Sequence, residues 1–433
     1  MTFTTRRQFM AGLGAATAAL PMLSERAAAQ ILKAEVIAGD RTPAELADDE
    51  GYWMQIQRAF DADRAMINLN NGGISPTPTH VLEQMIRDLR FVNELPVEHN
   101  WRILEPRMES TRRELAKEFG CDPEEMAITR NASEGLEIMI LGLDLQRGDE
   151  VLITNQNYGR MITTWQQRER REGIVLKQVS FPVPLTDPKV LVRTLEAAIT
   201  PRTKVIELTH ITNLTGQILP IRDVVRMARP RGIEVFVDGA HAFAHFPFKR
   251  DDLECDYYAT SLHKWMHAPI GAGFLYVRKE RIAKLWPLMG SDASRVGNIR
   301  KYEEIGTHPQ ANFNAVSVAI NFHRGIGAER KIARLRYLRD RWAKALLADS
   351  DRVKVLTELG PDKAGAIAMF NVDGIEPGAL GGWLLANHRI VSTPIVHPEF
   401  KGIRVTPSIY TSPDEIDTFV DAVKVAIRRG ITA

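Results

Sequence analysis

Four short runs constrain this chain more than anything else in it. Met126–Thr129, Val151–Thr154, Lys204–Leu208 and Ile233–Val237 are continuous apolar stretches rather than alternating ones. A strand with one face in water alternates, whereas a strand of a parallel sheet covered by helices on both faces does not. Helical patterns separate the runs: Ser133–Leu143, Met161–Glu172, Val190–Ile199 and Ile221–Arg229. The order predicts an α/β fold. A long charged helical region is expected from about Ala315 to Leu347. The tail then reads as elements of a smaller domain: Ala366–Asn371, Ala379–Asn387, Gly402–Pro407 and Pro413–Arg428. At 433 residues the chain exceeds one ordinary core. Its formal net charge of +2 and the lack of a basic stripe argue against a nucleic-acid partner. The two cysteines, Cys121 and Cys255, make neither a CxxC motif nor a disulfide framework.

The N-terminus has the layout of a bacterial signal peptide. Thr5-Arg6-Arg7-Gln8-Phe9-Met10 precedes an Ala- and Gly-rich apolar stretch to about Leu23, and Ala27-Ala28-Ala29 suits a signal peptidase. The paired arginines resemble the twin-arginine (Tat) class. The apolar run is shorter than the ~20 residues of a membrane span. The expectation is export through the Tat translocase, cleavage near Ala29 and a periplasmic mature protein. Gly12-Leu13-Gly14 follows no strand and is no dinucleotide fingerprint.

Three pieces carry chemistry. In Ile233-Glu234-Val235-Phe236-Val237-Asp238-Gly239-Ala240-His241 a buried strand ends in an acid. At the carboxyl end of a parallel strand such an acid points into the ligand crevice. A carboxylate there suits the pyridine nitrogen of pyridoxal 5'-phosphate (PLP), which it keeps protonated so that the ring accepts electrons. His241 can reach the same ligand. In Ser261-Leu262-His263-Lys264-Trp265, after the strand-like Asp256–Thr260, Lys264 can form a Schiff base with the PLP aldehyde, with Ser261 and His263 beside it for the phosphate. Thr129-Arg130-Asn131-Ala132-Ser133-Glu134-Gly135 joins a strand to a helix whose free N–H groups suit a phosphate; Asn131 or Ser133 can also serve as an ordinary helix cap. Each piece alone is weak; together, in this order, they are specific. His241 and His245 stand at i, i+4, but no further acid or open-site pattern accompanies them, and no metal is expected.

With these residues in place the sequence resembles the class V aminotransferase family of fold-type I PLP enzymes, from Asn68-Leu69-Asn70-Asn71-Gly72 to Arg404-Val405-Thr406-Pro407-Ser408-Ile409-Tyr410. The stretch His263–Tyr276 and the motif Asp238-Gly239-Ala240-His241 look most like the isopenicillin N epimerase-like branch. The N-terminal layout places the signal peptide over 1–29, and a segment over 30–67 is expected to pack with the small domain. The resemblance implies a large, mostly parallel-sheet PLP domain over 68–314, a small α+β domain over 315–433, and a homodimer. It implies Lys264 as the Schiff-base lysine, Asp238 at the pyridine nitrogen and His241 at the phenolic oxygen. Ala132, Ser133, Ser261 and His263 are implied at the phosphate, Tyr158 over the cofactor face and Asn213 near the phenolic oxygen and substrate. Gly306-Thr307 matches a loop reaching the neighbouring subunit's phosphate, and Arg404 an arginine that pairs with the substrate carboxylate. One departure is informative. Cysteine desulfurases carry a nucleophilic cysteine on a loop shortly before that arginine; here Ile390–Lys401 offers Ser392, Thr393 and His397 but no cysteine. The expected function is an exported PLP enzyme acting on the amino group of an amino acid or a peptide-derived metabolite. Its chemistry would be epimerisation, transamination or lyase-type cleavage. The alternative is a non-catalytic periplasmic protein that binds PLP or an amino acid, which would not need Arg404.

Overall fold

The computed structural model describes residues 25–431. The twin-arginine motif and apolar stretch lie outside the described residues, and the small-residue run Ala27–Ala29 falls at the start of the helix Glu25–Ala38. After short helices comes β1 (Ile67–Asn68). A seven-stranded sheet follows, built from β2 (Met126–Thr129), β3 (Glu150–Thr154), β4 (Val175–Val179), β5 (Thr203–Thr209), β6 (Glu234–Asp238), β7 (Tyr257–Ser261) and β8 (Gly273–Val277). Its spatial order is β2-β8-β7-β6-β5-β3-β4. All neighbours run parallel except β8, which is antiparallel to both β2 and β7.

The four apolar runs are therefore strands. β2 and β3 are buried along their whole length, as double-sided helical cover requires. β4, at the edge, exposes Val175 and only half buries most of the rest. The long helical region is not continuous: Gly327, at φ +86°, separates the helices Gln310–Ile326 and Ala328–Asp349. The composition changes at this break, from a largely apolar helix whose one charged residue is Arg324 to a helix dense in Arg, Lys, Glu and Asp, and the glycine supplies the backbone conformation that L side chains resist.

A second core forms around Trp342, Phe370 and Phe419. It packs beneath a four-stranded antiparallel sheet of order β12-β13-β10-β9: β9 (Val353–Val355), β10 (Ala368–Val372), β12 (Thr393–Val396) and β13 (Lys401–Val405). Between β10 and β12 the strand β11 (Ile390–Val391) pairs in parallel with β1, so the segment entering the large sheet is stitched to the C-terminal unit. Among the described residues no helix is long and apolar enough to cross a membrane.

Candidate active site

Parallel strands bring their carboxyl ends to one edge, and the loops leaving them converge there. Asp238 ends β6 directly beside Thr209 of β5 and Ala259 of β7. Gly239 follows because nothing else fits: a Cβ there would lie 1.9 Å from the ring of Tyr258. From β2 the chain turns into the helix Ala132–Gly142. Asn131 is its cap, accepting the N–H of Glu134 at 2.9 Å, which settles the choice between Asn131 and Ser133. Gly135 lets this helix sit against β7, since a Cβ would meet that of Ala259 at 2.8 Å. Its N-terminus is thereby delivered to the loop that carries Lys264, and the N–H of Ala132 donates to Ser261 Oγ at 2.9 Å.

The loops enclose a cavity of about 550 Å³. Ten of the eleven residues expected from sequence meet at its wall: Ala132, Ser133, Tyr158, Asn213, Asp238, His241, Ser261, His263, Lys264 and Arg404. Thr307 does not. It lines a separate depression with Leu89, Val97, Trp101 and Pro309.

Lys264 Nζ lies 3.1 Å from His241 Nε2. Burial brings the lysine down to about 8, with the charge of Asp238 opposing that shift and Arg404 adding to it. A nearly neutral amine is what condensation with an aldehyde needs. Burial also pushes the carboxyl of Asp238 up, against the N–H of Ala240 at 2.9 Å and the charge of Lys264. His241 is held neutral, well below its ordinary value, first by burial and then by Lys264. Burial lowers His263 to about 4. Several buried polar atoms at this wall have no partner among the described residues: His241 Nδ1, His263 Nδ1, Asn213 Oδ1, Thr209 Oγ1 and Arg404 Nε. Orphaned donors and acceptors converging on one cavity mark a place built for a polar ligand.

Arg404, on β13, is 7% exposed and, among the described residues, meets no carboxylate. Its Nη1 donates to the carbonyl of Asn213 at 2.7 Å, and its Nη2 to Asn70 Oδ1 at 2.7 Å and Thr393 Oγ1 at 3.3 Å. Burial alone lowers it to about 10. A buried guanidinium on neutral oxygens only is short of an anion. Asn213 is presented by a tight turn that ends in Gly216, at φ +75°, where a Cβ would lie 2.1 Å from the carbonyl oxygen of Ile367.

His245 belongs to the frame and not to a metal pair. Its Nδ1 donates to the carbonyl of His241 at 2.8 Å, its Nε2 accepts the N–H of Ala366 at 2.7 Å, and its ring stacks on Trp265 at 3.7 Å. Among the described residues no group of three His, Cys, Asp or Glu could hold a metal ion. Both cysteines are free thiols, and burial pushes that of Cys255 up to about 12. Sequence reasoning missed Asn70, although it lies in the quoted Asn68–Gly72 run, because its bond to Arg404 spans 334 positions. It also missed Gly73, Ile74, Arg160 and Thr209 at the cavity wall.

The chain matches the Aminotransferase class-V family over residues 67–393. It is 29% identical to the isopenicillin N epimerase of Streptomyces clavuligerus over 388 residues, 86% of this chain and 97% of that protein. It is 25% identical to the cysteine desulfurase of Haloferax volcanii over 393 residues, 84% of this chain and 90% of that one. A solved structure of a C-DES mutant with glycine covalently linked to its PLP cofactor superposes with a TM-score of 0.76 at 24% identity, covering 85% of this chain and 98% of that one. The sheet, the carboxyl-edge cavity and a family match over more than half of the sequence agree: this chain belongs to the class V aminotransferase family.

Proposed function

We propose that this protein is a PLP enzyme that acts on the amino group of an amino acid or a peptide-derived metabolite, with Lys264 as its cofactor lysine. The observation that carries this reading is one cavity in which a lysine lowered by burial to about 8 contacts a neutral histidine, beside a buried aspartate and a guanidinium that, among the described residues, pairs with no carboxylate. The orphaned atoms of the wall fit PLP. Ala132, Ser133, Ser261 and His263 would hold its phosphate, Asp238 its pyridine nitrogen, His241 and Asn213 its phenolic oxygen, and Tyr158 its face. When bound, PLP supplies an electron sink for a carbanion at the amino-bearing carbon.

The protein's own groups divide the remaining work. Arg404 takes the substrate carboxylate with its planar fork and so fixes the orientation of the neighbouring carbon. Lys264 Nζ, lowered by burial to about 8 and so neutral above that pH, removes a proton from that carbon and returns one to it. His241 Nε2 lies within hydrogen-bond reach of that amine, at 3.1 Å. Asp238 supplies the negative charge that stabilises a protonated pyridine nitrogen. The absence of a cysteine from Ile390–Lys401 argues against persulfide chemistry and favours the epimerase-like branch. The test is an absorbance screen of holoenzyme against D- and L-amino acids and small peptides. The expected result is a change in the bound cofactor's spectrum followed by product; PLP bound without response to any amino compound would leave only a binding protein.

We further propose a homodimer. Val97 and Trp101 expose apolar surface beside Thr307, and a second copy covering that face would bring the Gly306–Thr307 loop to the neighbouring cavity. Export rests on the Arg6-Arg7 segment and Ala27–Ala29 alone. An R6K/R7K double variant should stay in the cytoplasm with cofactor bound; unchanged periplasmic delivery would count against the twin-arginine route.

A further inference from the structure

Arg160 occupies the first turn of the helix Gly159–Glu172, and its exposed side chain forms part of the wall of the cavity that holds Lys264 and Arg404. This is a poor place for a cation. A helix N-terminus carries partial positive charge, so the guanidinium and the helix repel. The first turn holds no acidic residue to offset this. Among the described residues Arg160 makes no ion pair, whereas Arg130 pairs with Glu134 and Arg168, on the same helix, pairs with Glu172.

The rest of the cavity sharpens the point. Its charged wall residues are Arg160, Lys264 and Arg404 against the single acid Asp238. A cofactor phosphate has its own cradle at the helix N-terminus of Ala132 and Ser133 with Ser261. Arg404, buried and with Nε unpartnered, has room for one carboxylate. Arg160 is left over, two positions beyond Tyr158 and exposed. Two guanidiniums on one wall, neither with an acidic partner, describe a clamp for a molecule with two anionic ends.

We propose that Arg160 is a specificity-determining residue that binds a second acidic group, so the substrate class is acidic amino acids or peptide-derived amines bearing an acidic side chain. The inference rests on the function proposed above. Arg404 holds the carboxylate next to the amino group, and Arg160 the distal one. Because Arg160 is exposed, its contribution is that of a screened pair and is sensitive to salt.

The experiment titrates holoenzyme with D- and L-glutamate, glutamine and norvaline, each free and as the N-terminal residue of a dipeptide. It reads apparent affinity from the cofactor spectrum and, separately, PLP affinity. Wild type should bind the glutamate compounds about two- to fivefold more tightly than the glutamine ones at low salt, the scale of one exposed, screened pair. R160Q should erase that preference, R160K should keep part of it, and PLP affinity should change less than twofold in both. An undiminished preference for glutamate in R160Q overturns the proposal. So does a tenfold loss of PLP affinity with preference intact, which would place Arg160 on the cofactor phosphate. If no probe alters the spectrum of PLP-loaded protein, the proposed function itself fails and this inference with it; equal response to acid and amide in wild type removes the inference alone.

Discussion

Replacing Arg404 with lysine separates substrate recognition from cofactor binding. In the structure the guanidinium spends Nη1 on the Asn213 carbonyl and Nη2 on Asn70 Oδ1 and Thr393 Oγ1, while Nε is unpartnered. A lysine ammonium at this site keeps the charge but loses the fork, and cannot satisfy the Asn213 and Asn70 oxygens while also facing a ligand. The change removes about one charged hydrogen bond to the carboxylate, roughly 1.5–3 kcal/mol. At 1.4 kcal/mol per decade this becomes a rise of about 10- to 150-fold in substrate KM. PLP affinity should hold, because the residues assigned to its phosphate and ring lie on the loops after β2, β3, β5, β6 and β7 and not on β13, which carries Arg404. The assay pairs PLP titration with steady-state kinetics on the same variant. Collapse of PLP affinity with unchanged substrate saturation would refute the reasoning and move Arg404 into the cofactor site or the frame.

Asp238→Asn preserves shape and removes a buried charge, so turnover should fall by about 10²–10³-fold, the scale of one lost electrostatic contact to a reacting group, while PLP still binds; near-normal turnover would reduce Asp238 to a strand cap. The lowered lysine also sets a pH dependence. Burial disfavours the ammonium, so the neutral form of Lys264 grows as pH rises and dominates above about 8. Loading of PLP onto apo-protein should therefore accelerate with pH and level off above that point, and in the Asp238→Asn variant the plateau should begin at lower pH. A loading rate still climbing towards pH 10 would mean an unperturbed lysine.

Much of this site was legible in the sequence because its parts are local. An acid closing an apolar run, a lysine after the next strand and a strand-to-helix turn each occupy fewer than ten residues, and the order of parallel strands dictates that their carboxyl ends meet. What escaped is what folding alone creates. Asn70 and Arg404 are partners only because β1 and β11 pair and draw the start of the large unit against the end of the small one. No role for His245 is legible in the sequence; its two ring nitrogens are bonded in the fold to His241 and Ala366. Asn131 and Ser133 were equivalent caps on paper, and only the local turn geometry distinguishes them. The break at Gly327 escaped although the composition changes there: the helix before it carries one charged residue, Arg324, and the helix after it is dense in charge.

The central claim is that Lys264 carries the cofactor, and chemical trapping tests it most directly. Borohydride reduction of PLP-saturated protein, followed by proteolysis and peptide mapping by mass spectrometry, should place the pyridoxyl group on the peptide containing Ser261-Leu262-His263-Lys264-Trp265, on the lysine itself. A reduced adduct on another lysine, or none in protein that has bound PLP, would contradict the account.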